Sequence, residues 1–332
     1  MAIWPGFEPP PLGGHRIFLT GGTGFVGKSL LDYFGLVAQR QDAGFEVCVL
    51  SRDPDAFLER NPYYAGLPWL KLIEGDLQRL PTTAGDYTAV IHAAADTHGV
   101  SNGVQWIEQI VWGTRAVLDF ALAHGAQRFL SLSSGAVYGP QPAHLTHLPE
   151  DYTGAPPTTS PASVYGQAKR LAEQLCTLYC HEHGLHTVSA RCFSLVSEHV
   201  PLTGPYAIGN FIGDALASRP LRIKGDGNTV RSYLYGLDMA HWVVTLMLRG
   251  EAGQAYNVGS DIAISIRQLA ELVAATLAPE ARIESAAVAP AGSRSVYVPD
   301  ISRCRQLGLE VSTPLQLAIQ RSADGIRARS EK

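Results

Sequence analysis

The apolar run Ile17-Phe18-Leu19 leads straight into Thr20-Gly-Gly-Thr-Gly-Phe-Val-Gly27, and residues 28–38 follow with amphipathic spacing. A strand, a glycine turn and a helix start within so short a window limit the fold more than any other part of the chain. Glycine tolerates the tight backbone. Without a Cβ, its main chain can also bring N–H groups close to a pyrophosphate at the positive end of the helix. Alone, Gly-Gly-Thr-Gly also suits a plain surface turn. Its place between strand and helix carries the dinucleotide-site reading.

The alternation continues. Short apolar runs at 16–19, 46–50, 70–73, 89–92, 128–132 and 186–191 read as strands, and 28–40, 105–124 and 164–183 as helices. This order predicts an α/β fold: a doubly wound parallel (Rossmann) sheet with helices on both faces and its ligand edge at the carboxyl ends of the strands. After residue 191 the texture changes. A Pro/Gly loop at 200–206 precedes a helix at 208–218, a strand at 220–223 and a turn at 225–228. Helices at 238–248 and 264–277 follow. The expected division is residues 14–195 plus a returning segment 233–258 for the dinucleotide domain. Residues 196–232 and 259–332 then form a smaller carboxyl-terminal substrate lobe.

Composition narrows the function. The 332 residues are 46% hydrophobic and 17% charged, enough for a large core. A net charge of -4 and a pI near 6.3 provide no basic patch, so nucleic acid is not an expected partner. Cys48, Cys176, Cys180, Cys192 and Cys304 are scattered and odd in number. They read as thiols in a reducing, cytoplasmic setting rather than a disulfide framework. Residues 1–14 lack the charged and apolar regions of a signal peptide, and no apolar run is long enough to span a bilayer. His181-Glu-His183 with His186 departs from zinc-ligand spacing and reads as a solvated helix end, so no metal is expected.

The second informative feature is Tyr165-Gly-Gln-Ala-Lys169. At i, i+4 the two side chains share one helix face. A lysine ammonium beside a phenol favours the phenolate and lowers its pKa, which makes Tyr165 a usable acid or base near neutrality. Tyr-x-x-x-Lys is also a common helix-surface pair. It gains meaning from Ser133-Ser-Gly-Ala-Val-Tyr138, directly after a strand, which sets the Ser134 hydroxyl at the ligand edge. His92 ends an apolar strand and reads as structural or cofactor-lining. Trp106 and Trp112 read as core.

With these pieces in order, the chain resembles the extended short-chain dehydrogenase/reductase family, in its branch of nucleotide-sugar epimerases, dehydratases and reductases. The matching motifs run from Thr20-Gly-x-x-Gly-x-x-Gly27 through Asp76-Leu77, His92-Ala-Ala-Ala95, Tyr165-x-x-x-Lys169 and Arg191-x-Phe193 to Gly225-Asp-Gly227, Arg231-Ser-Tyr233 and Tyr256-Asn-Val-Gly259. The resemblance implies catalysis by Ser134, Tyr165 and Lys169. It implies cofactor contacts from Gly21, Thr23, Gly24, Phe25, Val26 and Gly27 in the turn. Asp76 and Leu77 hold the adenine, Ala93, Ala94 and Ala95 line the dinucleotide, and Phe193 and Ser194 pass the nicotinamide and substrate. Ser133 and Ser134 face the substrate, and Asn210, Arg231 and Arg294 hold a nucleotide-sugar pyrophosphate, which suits guanidinium forks. It further implies a homodimer through the helices near 105–124 and 164–183.

Three departures refine this. Where NAD-preferring relatives often end the second strand with an acid, this chain reads Leu50-Ser51-Arg52-Asp53. Ser51 and Arg52 accept a 2′-phosphate that a carboxylate repels, so NADP is favoured, with NAD kept open by Asp53. Sugar 4,6-dehydratases place acids just after the active-site hydroxyl, whereas here Gly135 and Ala136 stand there. Ordinary 4,6-dehydration is therefore disfavoured unless Asp96 or Glu198 substitutes. After Phe193, Ser194-Leu-Val-Ser-Glu198 replaces the relatives' Asn-x-Tyr-Gly-Pro, and Ile110 stands where relatives often carry Asn. The expected activity is NAD(P)-dependent hydride transfer at a carbinol carbon of a nucleotide-activated sugar, of epimerase or 4-ketoreductase type. A reductase of a non-sugar carbonyl and a cofactor-binding regulator without catalysis remain alternatives. The first is opposed by the paired Arg231 and Arg294, the second by the intact Ser134, Tyr165 and Lys169.

Overall fold

Ile17, Phe18 and Leu19 are all fully buried, which requires cover on both faces of their strand. Alternation splits them. Ile17 and Leu19 join Leu30, Leu31 and Phe34 in one core cluster, while Phe18 packs in a second against Tyr87 and Phe120, with ring centroids 5.1 and 4.4 Å away. Burying one such ring stabilises the fold by roughly 3 kcal/mol. A computed structural model describes residues 8–41, 44–81, 85–94, 103–285 and 295–330.

The first half runs β1 (Arg16–Thr20), α1 (Phe25–Ala38), β2 (Glu46–Ser51), α2 (Pro54–Arg60), β3 (Leu70–Glu74), β4 (Ala89–His92), α3 (Gly103–Ile107), α4 (Gly113–Ala123), β5 (Arg128–Ser134), α5 (Val164–His183) and β6 (His186–Cys192). The second half runs β7 (Leu195–Val196), α6 (Ala207–Leu216), β8 (Leu221–Ile223), β9 (Val230–Arg231), β10 (Leu234–Tyr235), α7 (Gly236–Arg249), β11 (Ala255–Val258), β12 (Ile264–Ser265), α8 (Ile266–Leu277), β13 (Ile283–Ser285), β14 (Val296–Tyr297), α9 (Ser302–Arg305) and α10 (Leu315–Ser330). The large sheet has seven parallel strands in the order β11-β6-β5-β4-β1-β2-β3. The chain moves from β1 outward through β2 and β3, then returns to β4 on the other side of β1. That reversal opens a crevice at the carboxyl ends of β1 and β4, the usual ligand position in such a sheet. Three small sheets (β12-β9-β14, β13-β8 and β10-β7) lie beyond it.

The doubly wound fold is as expected, with local differences. The helix expected at 105–124 is broken by a π-helical stretch, Glu108–Trp112, between α3 and α4. β11 is an added seventh strand, held beside β6 by the pairing of Tyr256 with Ala190. Local chemistry explains the element ends. Asp53 caps α2 through the Ala56 N–H with Pro54 at the first turn, Ser265 and Gln268 form a capping box on α8, and α5 stops at Gly184, whose φ is 69°. Among the described residues no helix is long and apolar enough to cross a membrane.

Candidate active site

A cleft of about 1560 Å³ opens along the carboxyl ends of the central strands. One end is made of backbone. Gly21 has φ 71°, and a Cβ there would lie 2.6 Å from the carbonyl carbon of Ala93, the first residue after β4. A Cβ on Gly27 would meet the Gly21 carbonyl oxygen at 2.1 Å. The turn is thus drawn tightly onto β4 and onto the start of α1, which no side chain larger than hydrogen permits. α1 begins at Gly24 with no side-chain cap and no acid in its first turn, and Gly21, Thr23, Gly24, Phe25, Val26 and Gly27 all line the cleft. Uncapped N–H groups at a positive helix end, facing a cleft, fit the pyrophosphate of a dinucleotide.

Beneath this turn lies a threonine–histidine–threonine chain. The Thr114 hydroxyl donates to the Ile110 carbonyl, so its oxygen accepts from His92 Nε2–H at 3.2 Å. His92 Nδ1 then accepts from the Thr20 hydroxyl at 2.7 Å, and Thr20 in turn accepts the Ala94 N–H. The partners assign the neutral Nε2–H tautomer, and burial lowers the His92 pKa to about 3. His92 is therefore the strut that ties β1 to α4 across the end of β4.

Along the cleft from the turn, Arg52, Asp76, Leu77, Ala93 and Ala94 form the wall. Asp76 Oδ1 accepts the backbone N–H groups of Gln78 and Arg79, which fixes its carboxylate. The structure sets Ser51 apart. Leu50 and Arg52 line the cleft, and strand alternation turns the residue between them away. The Ser51 side chain is buried and accepts the Asp53 N–H, so it does not reach the cleft as expected. Asp53 is turned to capping α2.

The other end is made of side chains from distant elements. Ser133 and Ser134 close β5, Tyr165 and Lys169 lie one turn apart on α5, and Cys192 ends β6 with Phe193 just after it, all lining the cleft. Lys169 is 6% exposed and donates to the Leu132 carbonyl at 2.7 Å, and burial brings its pKa down to about 8. Tyr165 departs from expectation: its pKa stands at about 12, raised by burial, with the nearby Ser134 hydroxyl opposing the rise. The helical spacing does put Lys169 on the same face. Burial nevertheless sets the direction of the shift, and the ammonium is directed to the Leu132 carbonyl. The Ser134 hydroxyl accepts the Ala136 N–H at 3.2 Å, and Tyr165 and Tyr297 line the same part of the cleft.

Under this floor, Glu173 accepts from Ser133 and pairs with Arg191 at 2.7 Å. Arg191 donates to Tyr138, and Tyr138 to Asn257 on β11. This buried network locks α5, β5, β6 and β11 together, so the motif residues Arg191 and Asn257 act as framework rather than as ligands.

Arg231 enters from β9, half-buried, with its guanidinium over the Tyr297 ring at 5.5 Å. Asn210 lies on α6 outside the cleft lining and donates to the Gly204 carbonyl, so the structure does not bring it to Arg231 as a shared anion site. Glu198 is buried and accepts from the Tyr235 hydroxyl, away from the cleft. Ala95, Asp96 and Arg294 lie outside the described residues. Sequence reasoning missed Tyr297, whose strand pairs with β9 from far along the chain. It also missed the contact of Trp106 with Tyr165, at 4.9 Å between centroids. Neither carries a motif.

Comparison with known proteins gives this geometry its context. The model of the NAD dependent epimerase/dehydratase family matches residues 17–259. UDP-glucuronic acid decarboxylase 1 of Arabidopsis thaliana is 30% identical over 316 residues, covering 95% of this chain and 70% of that protein. UDP-N-acetylglucosamine 4-epimerase from Methanobrevibacter ruminantium M1, solved with UDP-N-acetylmuramic acid, shares the fold with a TM-score of 0.82 at 19% identity, covering 96% and 99% of the two chains. RMD from Pseudomonas aeruginosa, complexed with NADPH, shares it at 0.75 and 22% identity, covering 95% and 99%. With the glycine cradle, the Ser-Tyr-Lys floor and a family model matched over most of its length, the chain belongs to the NAD dependent epimerase/dehydratase family of enzymes.

Proposed function

We propose that this enzyme oxidises or reduces a carbinol carbon of a nucleotide-activated sugar, as an epimerase or 4-ketoreductase. The observation that carries the reading is the convergence of Ser134, Tyr165 and Lys169 on one cleft floor, with the uncapped start of α1 at one end and Arg231 at the other. Tyr165 gives or takes the proton of the sugar hydroxyl. Ser134 orients the same oxygen, and Lys169, close to neutral yet still protonated at pH 7, lends positive charge to the floor. Bound in the cleft, the nicotinamide supplies or accepts the hydride. Arg231 holds the substrate diphosphate, and residues 196–232 and 259–332 act as the lobe that carries it, with Arg294 as a second cation.

NADP is the favoured cofactor. Arg52 lines the cleft while Asp53 is committed to a helix cap, so the end of β2 offers a cation and no free acid to a 2′-phosphate. Ordinary 4,6-dehydration is opposed on steric grounds as well as chemical ones. A Cβ on Gly135 would lie 2.5 Å from the Tyr297 hydroxyl and 2.7 Å from the Phe193 ring, so no acid fits there. A second reading, decarboxylation of a nucleotide uronic acid, is favoured by the Arabidopsis relative. Oxidation at C4 makes the C6 carboxylate a β-keto acid, which loses carbon dioxide to leave an enolate; that enolate then takes a proton at C5, and the C4 ketone takes the hydride back.

We also infer a homodimer. Val104 and Ile107 on α3 and Leu171 and Leu178 on α5 are 40–64% exposed apolar side chains on helices that pack together. Five free cysteines support a reducing, cytoplasmic setting. Incubation with panels of nucleotide sugars, keto sugars and uronic acids, read by proton NMR, tests the activity. A changed configuration at one carbon or reduction of a keto sugar supports the first reading. Release of carbon dioxide supports the second, and no turnover of any nucleotide sugar refutes both. The mass of cofactor released on denaturation decides NADP against NAD.

A further inference from the structure

Sequence spacing reads Trp112 as core, whereas in the structure its side chain is 58% exposed, on the wall of the cleft. It ends the π-helical turn Glu108–Trp112, and turns of this kind often mark functional sites. Gln109 and Ala116, its neighbours one turn either way, line the cleft with it. The exposed Val104, Ile107, Leu171 and Leu178 do not, so Trp112 stands apart from the face assigned to the dimer. Other rings of the cleft are already matched, Phe25 with Tyr206, Trp106 with Tyr165 and Phe193 with Tyr297. Trp112 has no ring contact and no hydrogen bond among the described residues. We propose that Trp112 is the platform on which the adenine of the dinucleotide stacks. The inference rests on the dinucleotide reading of the cleft.

The polarity of a dinucleotide places its two halves. With the pyrophosphate at the start of α1 and the nicotinamide at Ser134, Tyr165 and Lys169, the adenosine must run the other way, towards Arg52, Asp76 and Leu77. Trp112 joins that part of the wall through Gly113. A Cβ on Gly113 would lie 2.8 Å from Leu77 Cδ1, so the start of α4 sits directly against Leu77, and the residue just before it is Trp112. The polar needs of an adenosine are met on this wall. Arg52 is a cation for a ribose phosphate, and the Asp76 carboxylate is held by two backbone N–H groups. What remains is cover for the flat face of a base. Leu77 is apolar but not planar. An indole is both, and its stacking does not depend on which hydrogen-bonding edge the base presents. A tryptophan more than half exposed on that wall supplies the cover.

The test titrates the full chain, freed of bound nucleotide by charcoal, with adenosine 2′,5′-bisphosphate and with ADP, the adenosine halves of NADP and NAD. Calorimetry gives the affinities. Neither probe carries a nicotinamide and no sugar is needed, so a wrong reaction assignment leaves the readout intact. Trp112→Ala should weaken the better-bound half by about 5- to 150-fold, the loss of one base–aromatic stack. Trp112→Phe keeps a ring and should keep most of the affinity. Position 112 is exposed, so both variants should melt with the parent. Indole fluorescence of the parent should fall as the adenosine half binds, and Trp112→Phe should lose that response while still binding. A merely structural role would not separate binding from quenching in this way. Equal affinity of Trp112→Ala and parent overturns the inference and leaves the dinucleotide reading standing. So does a Trp112→Ala protein altered only in its oligomeric state by light scattering, because the indole then belongs to an interface. A parent that binds neither adenosine half, nor NADP, nor NAD overturns the dinucleotide reading and the inference with it.

Discussion

The two ends of the cleft are built from different materials. At the proposed cofactor end the surface is backbone: a glycine turn, the bare N–H groups of α1, and the loop after β4 pressed against Gly21. All of it lies within a few residues of two neighbouring strands. At the proposed substrate end the surface is side chains delivered by β5, α5, β6, β9 and β14, which bring hydroxyls and charges to the cleft. Damage to the first should therefore remove fold and cofactor together. Damage to the second should remove rate and leave the fold standing.

The largest expected effect tests the substrate end. Tyr165→Phe removes the group proposed to move the sugar proton, so turnover should fall by about 10²–10⁴-fold. The Trp106 contact and the helix face survive in phenylalanine, so thermal unfolding and cofactor content should be those of the parent. Retained turnover, or lost cofactor, would break the contrast between the two ends.

Gly27→Ala tests the other end. The added methyl would approach the Gly21 oxygen at 2.1 Å and the Gly22 Cα at 2.5 Å, both main-chain atoms that cannot turn aside. Overpacking of this kind costs about 1–3 kcal/mol. The expected outcome is a lower melting temperature together with loss of co-purifying cofactor, read by calorimetry and by mass spectrometry of the released nucleotide. A variant that melts normally but binds no cofactor would show that the turn is a ligand site without being a structural one.

The same division governs what could be read from the sequence. Thr20–Gly27 and Tyr165/Lys169 are short-range signals, and α5 spans the residues expected of it because its apolar period and Gly184 are local facts. Ser51 was misjudged because facing is set by strand parity, which a motif alignment does not carry. The π-turn at Glu108–Trp112 went unseen because one extra residue in a helix barely disturbs an apolar period. Tyr297 was out of reach for a different reason. It reaches the cleft only through the pairing of β9 with β14, a contact between two two-residue strands that no local pattern announces.

Each end also buries a base, and the pH windows of the two bases separate the ends by stability alone. His92, under the glycine turn, has a folded pKa of about 3 against 6.5 when exposed. Between those values the unfolded chain binds the proton and the folded one does not, so stability falls by a few kcal/mol as pH drops from 6.5 towards 3. Chemical unfolding of the parent at stepped pH should show this loss. His92→Gln, which removes the titrating base, should flatten it. An unchanged slope in the variant would mean that other groups set the acid limb.

Lys169 gives the smaller effect, at the opposite side of neutrality. Its folded pKa of about 8 lies below the 10.5 of a free lysine, because burial disfavours the ammonium. Below pH 8 both states are protonated and the cost of burying the charge is fully present. From 8 to 10.5 the folded chain has released the proton while the unfolded chain still holds it, so this group makes stability rise with pH, again by a few kcal/mol at most. Above 10.5 both are neutral and the cost is gone. Lys169→Met fills the same space without a charge. It should be inactive, yet more stable than the parent near neutrality, and its stability should lack the alkaline rise. A Lys169→Met protein that is less stable at pH 7 would mean that the bond to the Leu132 carbonyl is worth more than the burial of the charge costs. In that case the substrate end, too, would depend on its side chains for folding.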